Sequence, residues 1–250
     1  MHLPYTDKED AVRNIIRVAD LYKLYRIGDS TVRALDGVSF QIQEGEFCAI
    51  VGTSGSGKST LLNMLAGLER PTRGTVVING KHIEKLKEDE LVKFRRENVG
   101  FIFQSFHLMG TMNALENTAL PLTFRGEGRK QRLKKAERML ELVNLEKQKL
   151  HMPNQMSGGQ QQRVGVARAL IADPKIIFAD EPTGNLDSHT SEEVMKLMQK
   201  IVREQGRTLV MVTHDPHEAG YADRVLHIID GKIVRIEENK KRRTGENEKA

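Results

Sequence analysis

The run Gly52-Thr53-Ser54-Gly55-Ser56-Gly57-Lys58-Ser59 follows the spacing G-x-x-x-x-G-K-[ST] in full. These residue types in this order suit the holding of linked phosphates. The glycines let successive backbone N–H groups turn inward around an anion, and a helix opening at the lysine adds the field of its N-terminus. Lys58 supplies a point charge for β- and γ-phosphates, and the Ser59 hydroxyl suits Mg²⁺. A chance Gly/Ser-rich loop is the competing reading. It gives no reason for a buried strand before the loop and a helix after it, and the pattern supplies both.

Such a site also needs a carboxylate at the end of a neighbouring strand to hold the metal. Ile176-Ile177-Phe178-Ala179 is an apolar run ending in Asp180-Glu181. Adjacent strand residues point to opposite sides, so the two acids need not share one task. Asp180 is expected to serve Mg²⁺, while Glu181 polarises a water for attack on the γ-phosphorus. A solvated acidic pair is the plainer reading; the upstream phosphate loop is what favours paired roles.

The elements that must position these groups are legible in outline. Phe47 to Val51 is a continuous apolar run, as expected of a strand buried on both faces. Leu61, Leu62, Met64, Leu65 and Leu68 then follow helical spacing up to Arg70-Pro71. Short strands are predicted between Ile15 and Phe47, at Thr75 to Ile78 before the turn Asn79-Gly80, and at Val99 to Phe103. Ser105 to Gln155 reads as helical, with Leu133, Ala136, Leu140 and Val143 on one face. A strand at 176–179, a helix over 191–205, a strand at 209–212 and a hairpin about Asp230-Gly231 complete the alternation. Residues 1–14 read as a loose arm and 237–250 as a charged tail. No repeat of fixed period is present, and strand–helix alternation around a mainly parallel sheet is the expected α/β fold.

Composition narrows the function classes. The chain has 250 residues, a formal net charge of +5 and one cysteine, Cys48, so no disulfide framework can form within it. The longest apolar run has five residues, Phe47 to Val51, against the roughly 20 that a membrane span needs. Met1 to Asp20 is mixed and charged, with no secretory leader pattern, and a cytoplasmic location is expected. Between Arg125 and Arg138 there are seven basic and two acidic residues, so this stretch alone accounts for the +5. A nucleic-acid binder has a broader basic footprint, and no nucleic-acid partner is expected.

Met156-Ser157-Gly158-Gly159-Gln160, followed by Gln161-Gln162-Arg163, resembles the signature of ATP-binding cassette (ABC) ATPases, at the right spacing before Asp180-Glu181. The resemblance runs from about Ile16 to Ile236. It implies a P-loop NTPase (RecA-like) core with a mainly parallel sheet, an antiparallel β subdomain and an inserted α-helical subdomain. The ATPase domain is then 15–236, with 15–104 and 161–236 as nucleotide-binding core and 105–160 as helical subdomain. Residue by residue, Tyr25 resembles the aromatic that stacks on adenine; packing at a strand edge is its plainer reading. ATP contacts are implied for Gly52, Ser54, Gly55, Ser56, Gly57, Lys58, Ser59, Thr60 and Gln104. Gln104 resembles the glutamine that meets Mg²⁺ and water, joining Ser59 and Asp180 as metal-site residues. His214 resembles the switch histidine at the γ-phosphate and stands with Glu181 and Lys58 in catalysis, whereas the other histidines read as surface or packing residues. Ser157, Gly158, Gly159 and Gln160 form a second phosphate-binding tip, which in the family closes over the ATP of the opposite subunit. Asn185-Leu186-Asp187 resembles the loop that crosses that interface. The resemblance therefore implies ATP and Mg²⁺, and a head-to-tail homodimer whose formation follows nucleotide state. Two departures are small: Met156 stands where Leu is commoner, and Asn185 where Ala is.

The wording around the motifs narrows the branch. Leu35 to Phe40, Leu68 to Gly74, Ala114 to Asn117 and Ala179 to Asp187 are similar to the lipoprotein-release, macrolide-export and cell-division ABC ATPases. That branch implies an integral membrane permease as partner, of four spans with a large external domain, and a peripheral position on the inner face of the membrane. The implied work is export or extraction of peptides, lipoproteins or drugs. Mechanical signalling without cargo, or a soluble ABC ATPase, are the alternatives. The docking segment is expected over about 105–122, where Phe106, Leu108, Met109 and Met112 either pack the helical subdomain or receive a permease helix. The basic stretch 125–138 is either a solvated helix face or a surface for the anionic inner leaflet or acidic permease loops. Lys240-Lys241-Arg242-Arg243 is a smaller candidate of the same kind.

Overall fold

The computed structural model describes residues 13–239. The described residues open with β1 (Asn14–Ile27) and β2 (Ser30–Gln43), then β3 (Phe47–Val51), the phosphate loop and α1 (Lys58–Leu65). Next come β4 (Arg73–Ile78), β5 (Lys81–His82), α2 (Glu88–Asn98) and β6 (Val99–Phe103). Three helices, α3 (Ala114–Phe124), α4 (Arg129–Leu142) and α5 (Gly158–Leu170), precede β7 (Ile176–Asp180). The remainder is α6 (Ser188–Gln205), β8 (Thr208–Thr213), α7 (Pro216–Ala219), β9 (Arg224–Ile229) and β10 (Lys232–Glu238).

Two sheets result. The antiparallel one has the order β2-β1-β4-β5. The larger has the order β10-β9-β3-β8-β7-β6 and is parallel throughout except for the β9–β10 hairpin. Strand alternation divides the core between its two faces. Cys48, Ile50, Phe178, Val210 and Val212 pack with α1 and the antiparallel sheet, while Phe47, Ala49, Ile177, Ala179 and Met211 pack with α5 and α6. The apolar runs of β3, β7 and β8 are therefore buried on both sides. A small third cluster of Ala119, Leu122, Ala136, Ile171 and Ala172 ties α3 and α4 to the end of α5.

Several expectations are corrected. The strands between 15 and 47 are not short: β1 and β2 each run 14 residues. Register shifts near Asn14/Ile16, Val18/Leu21, Leu21/Tyr22 and Lys23/Leu24 interrupt the alternation, so one long ribbon reads as pieces. Residues 105–155 are not one helical stretch. Phe106 and His107 take left-handed φ values of 57° and 47°, and helix begins only after Asn113. The Asn113 side chain accepts from Glu116 N–H at 2.9 Å, and the Glu116 carboxylate accepts from Asn113 N–H at 3.2 Å. The helix α5 runs from Gly158 to Leu170, and α6 starts at Ser188, earlier than the spacing suggests. Asn14 already pairs with Gln43, and Glu237 and Glu238 still pair with Val225 and Arg224. The ladder, with Glu237 lying 3.0 Å from His227, carries the hairpin past the expected start of the tail. Residues 240–243 lie outside the described residues.

Candidate phosphate site and its surroundings

β3 delivers the chain into the loop Gly52–Gly57, and α1 carries it away. Two of the glycines are required by close approach. A Cβ on Gly52 would lie 2.3 Å from the Ile228 carbonyl oxygen, and one on Gly57 would lie 2.3 Å from that of Ala34. Gly57 also has φ of 99°, in the left-handed region. The loop is tied by Ser56 N–H to Thr53 O at 3.2 Å and by Gly231 N–H to Ser56 O at 3.1 Å. Lys58 is buried, and its ammonium donates to Gly52 O and Thr53 O, each at 2.9 Å. The charge is thus held on the loop's inner side, at the first residue of α1, where the helix dipole also favours an anion. Ser54 and Gly55 are exposed at the loop's tip. A cavity of about 600 Å³ lies against the loop, and Gly52, Ser54, Lys58, Glu181, His214 and His227 are among its walls. His227 is an addition, because sequence reasoning left it among the surface or packing histidines.

The end of β7 meets this loop. Ser59 Oγ donates to Asp180 Oδ1 at 3.3 Å, so a hydroxyl and a carboxylate stand side by side. Burial pushes the Asp180 pKa up, opposed by the Ser59 hydrogen bond, with the neighbouring Glu181 charge adding to the rise. This oxygen pair fits a hard divalent cation that takes its remaining ligands from phosphate and water. Glu181 has φ of 42° and donates its N–H to Val212 O at 3.0 Å. The left-handed turn is uncommon for a residue with a side chain. It places the Glu181 carboxylate 3.2 Å from His214 Nδ1, beyond the end of β8.

Tyr25 lies on β1 with its hydroxyl donating to the Glu69 carboxylate, at 2.8 and 2.7 Å to the two oxygens. Its hydroxyl also meets Thr60, the residue after Ser59. Burial, then the Glu69 hydrogen bond, raises the Tyr25 pKa. The Lys23 ammonium sits 5.0 Å above the ring and 2.8 Å from Glu69, so the ring's place beside the loop is fixed from three sides. Gln104 follows β6, and its amide nitrogen would be 2.8 Å from a Cβ on Gly184. Its backbone carbonyl accepts from Asn185 Nδ2 at 3.0 Å.

The second tip stands elsewhere. Ser157 caps α5, accepting from Gln160 N–H at 3.3 Å, while Gln160 Oε1 accepts from Ser157 N–H at 3.0 Å. A Cβ on Gly158 would lie 3.2 Å from Leu186, and one on Gly159 would lie 2.3 Å from the Thr190 methyl. Asp187 caps α6, accepting from Thr190 N–H at 3.0 Å and from its hydroxyl at 2.6 Å, which lowers the Asp187 pKa. Ser157, Gly159 and Gln160 line a different cavity, of about 260 Å³, which shares no residue with the phosphate-loop cavity. One chain therefore joins the loop, Asp180, Glu181 and His214 in one place. It holds the signature together with the start of α6 in another.

Other residues shape the surroundings. Arg168 donates to the carbonyls of Phe106 and His107, each at 2.6 Å, and Asn117 holds Met109 and Met112 by their backbones, so the segment after Gln104 has a fixed course. Within that segment Met109 is exposed, while Leu108 packs against the α5–α6 core. Glu46, nearly fully buried, accepts from Arg224 Nε at 2.6 Å beneath β3. Along α4, Ala136 and Leu140 face inward, and Arg129, Lys130, Lys134, Lys135 and Arg138 face out. Lys135 pairs with Glu127 at 2.7 Å, and Arg125 donates to Arg96 O.

Known proteins share this fold. A family profile described as "ABC transporter" matches residues 35–184. The chain is 49% identical over 223 residues to a macrolide export ATP-binding/permease protein, MacB, of Chlorobaculum tepidum, covering 88% of this chain and 34% of that one. It thus spans about a third of the length of such relatives. It is 46% identical over 227 residues to an uncharacterized ABC transporter ATP-binding protein of Methanocaldococcus jannaschii, MJ0796, covering 89% of this chain and 97% of that one. A solved dimeric structure of that cassette, described as a post-hydrolysis state bound to ADP and Pi, superposes with a TM-score of 0.83 at 44% identity, covering 89% of this chain and 98% of the other. The fold is that of a P-loop nucleotide hydrolase, and the chain belongs to the ABC transporter family, as an ATP-binding ATPase domain.

Proposed function

We propose that this domain hydrolyses ATP within a head-to-tail dimer and that the cycle of closing and opening drives a membrane permease. One observation carries the reading. The loop, Glu181 and His214 share one cavity, and Asp180 meets Ser59 at 3.3 Å, while Ser157, Gly159 and Gln160 of the signature tip line another. A tip suited to phosphate but turned from the chain's own phosphate loop finds its anion on a second copy. Two copies placed head to tail supply each phosphate loop with the other's signature. The relative whose solved structure is a dimer with ADP and Pi supports this assembly.

In that dimer the loop's N–H groups and Lys58 hold the β- and γ-phosphates, and Tyr25 offers its ring to adenine. Ser59, Asp180 and Gln104 are the residues for Mg²⁺, which when bound neutralises charge on the β- and γ-phosphate oxygens. Glu181 accepts a proton from the attacking water as it adds to the γ-phosphorus and ADP leaves. With Nδ1 turned to Glu181 at 3.2 Å, His214 keeps Nε2 for the γ-phosphate, and so aligns the base with its target. Ser157 and Asp187 act on the partner copy's nucleotide and interface.

The partner is proposed to be an integral permease of four spans with a large external domain, and the work to be export or extraction of peptides, lipoproteins or drugs. The relative named for macrolide export supports this branch. Among the described residues no helix is long and apolar enough to cross a membrane, so a peripheral place on the inner face depends on that partner. The exposed cations of α4 support a reading in which this face adds attraction to an anionic leaflet. The decisive experiment replaces Glu181 with Gln and follows ATP turnover and sedimentation with ATP and Mg²⁺. Turnover is expected to fall at least a hundredfold while a stable dimer accumulates. A monomeric Glu181→Gln protein under those conditions refutes the dimer.

A further inference from the structure

Glu218 is buried, lies outside the phosphate-loop cavity, and has no place in the chemistry above. It sits on α7, shortly after His214. Both of its oxygens are occupied by hydroxyls from different parts of the chain. Thr213, the last residue of β8, donates to Oε2 at 2.6 Å, and Thr183 donates to Oε1. Thr213 Oγ1 in turn accepts from Asp215 N–H at 3.0 Å, and Thr183 and Thr213 are themselves buried.

These bonds close a ring. The segment leaving β7 carries Glu181 and then Thr183; the segment leaving β8 carries Thr213, His214 and then Glu218. At the sheet they are joined by Glu181 N–H to Val212 O at 3.0 Å. Beyond it the rungs are Glu181 to His214 at 3.2 Å and Thr183 to Glu218. Packing alone favours an apolar residue at such a buried position, because desolvating a carboxylate is costly. Two hydroxyl donors offset that cost only with the segments in this register.

We propose that Glu218 is a positioning residue, which sets the separation of Glu181 and His214 by locking together the two segments that bear them. The proposal rests on the hydrolytic reading of Glu181. It assigns Thr183 a role through its hydroxyl rather than its shape, and this makes it testable without removing the carboxylate.

Thr183→Val keeps the shape and deletes the hydroxyl; Thr183→Ser keeps the hydroxyl and trims the methyl. Small displacements of reacting groups cost up to about a hundredfold in rate. Thr183→Val is expected to lower kcat about tenfold or more, with KM for ATP changed less than about twofold. Thr183→Ser is expected to retain most of the kcat. Glu218→Gln should match Thr183→Val, and the double variant should be no slower than the slower single, since both cut the same rung. The reverse order, with valine active and serine impaired, overturns the proposal, as does a loss of kcat matched by an equal rise in KM. Glu181→Gln run in parallel separates the two readings. If it abolishes turnover while Thr183→Val runs at the wild-type rate, only the role of Glu218 falls. If it leaves turnover intact, the hydrolytic reading falls and the role of Glu218 falls with it.

Discussion

Gly57→Ala places a methyl carbon 2.3 Å from the Ala34 carbonyl oxygen, in a backbone with φ of 99°. Two costs combine. An alanine held in left-handed backbone loses roughly 1–2 kcal/mol. The contact with Ala34 has to open to at least 3.0 Å, and because Ala34 lies in β2 no flexible side chain can absorb the movement. Overpacking of this kind costs about 1–3 kcal/mol more. At about 2–4 °C per kcal/mol for a chain of this size, the melting midpoint should fall by about 4–20 °C. Gly55→Ala is the matched control, with φ of 79° but nothing within 4 Å of the added carbon, so only the backbone cost applies. Differential scanning calorimetry of both variants beside the parent measures the difference. The clash also pushes the loop from its seat, so Gly57→Ala should lose binding of a fluorescent ATP analogue. Equal midpoints for the two variants would show that the close approach of loop and β2 does not constrain the site, and the reasoning would fail.

Two further outcomes follow from the site. Burial raises the Asp180 pKa above its ordinary value of 3.8, so the folded chain binds that proton more tightly than the unfolded chain. Stability measured by urea without nucleotide or metal should therefore decline as pH rises between the unfolded and folded pKa values. Asp180→Asn should flatten that component, and an unchanged pH profile would contradict the assignment. Ser157→Ala removes only a helix cap from the isolated chain, worth about 1 kcal/mol and 2–4 °C. It should nevertheless abolish the ATP-dependent dimer of the Glu181→Gln protein in sedimentation, whereas an undiminished dimer would leave the signature with a capping role alone.

Much of the phosphate site was legible because its chemistry is local. Glycines, a lysine and a hydroxyl must be consecutive to wrap phosphates, and a strand buried on both faces must be continuously apolar, as β3, β7 and β8 are. What escaped is held together by contacts distant in sequence. Glu69 fixes Tyr25, Glu218 bridges Thr183 and Thr213, and Arg168 shapes the turn at Phe106 and His107. Each is a charged residue whose partner lies far along the chain, and only tertiary packing says what it faces. The long β1–β2 ribbon was read as short pieces for a related reason: its register shifts break the two-residue period on which strand recognition depends. The helix α2 went unread because only Leu91 and Phe94 of its apolar residues are buried, too sparse a stripe to stand out.

The place of β3 in its sheet bears on how the protein is made. Its hydrogen-bonded neighbours are β8 and β9, whose residues are synthesised last among those that line the site. The loop that β3 leads into is fastened by Gly231 N–H to Ser56 O, and Asp36 N–H is bonded to Gly231 O at 2.9 Å. A nascent chain that has released α1 from the ribosome thus lacks both strands that flank the loop and the glycine that anchors it. The segment through Val51 must wait unpaired while more than half of the chain emerges, which is a long exposure for an apolar strand. Completion of the hairpin at Gly231 then seats the loop, the sheet and β2 together, so the competence to bind nucleotide arrives in one late step of synthesis. A chain truncated before that hairpin is an apolar intermediate with an unfinished site, a substrate for chaperones and proteases.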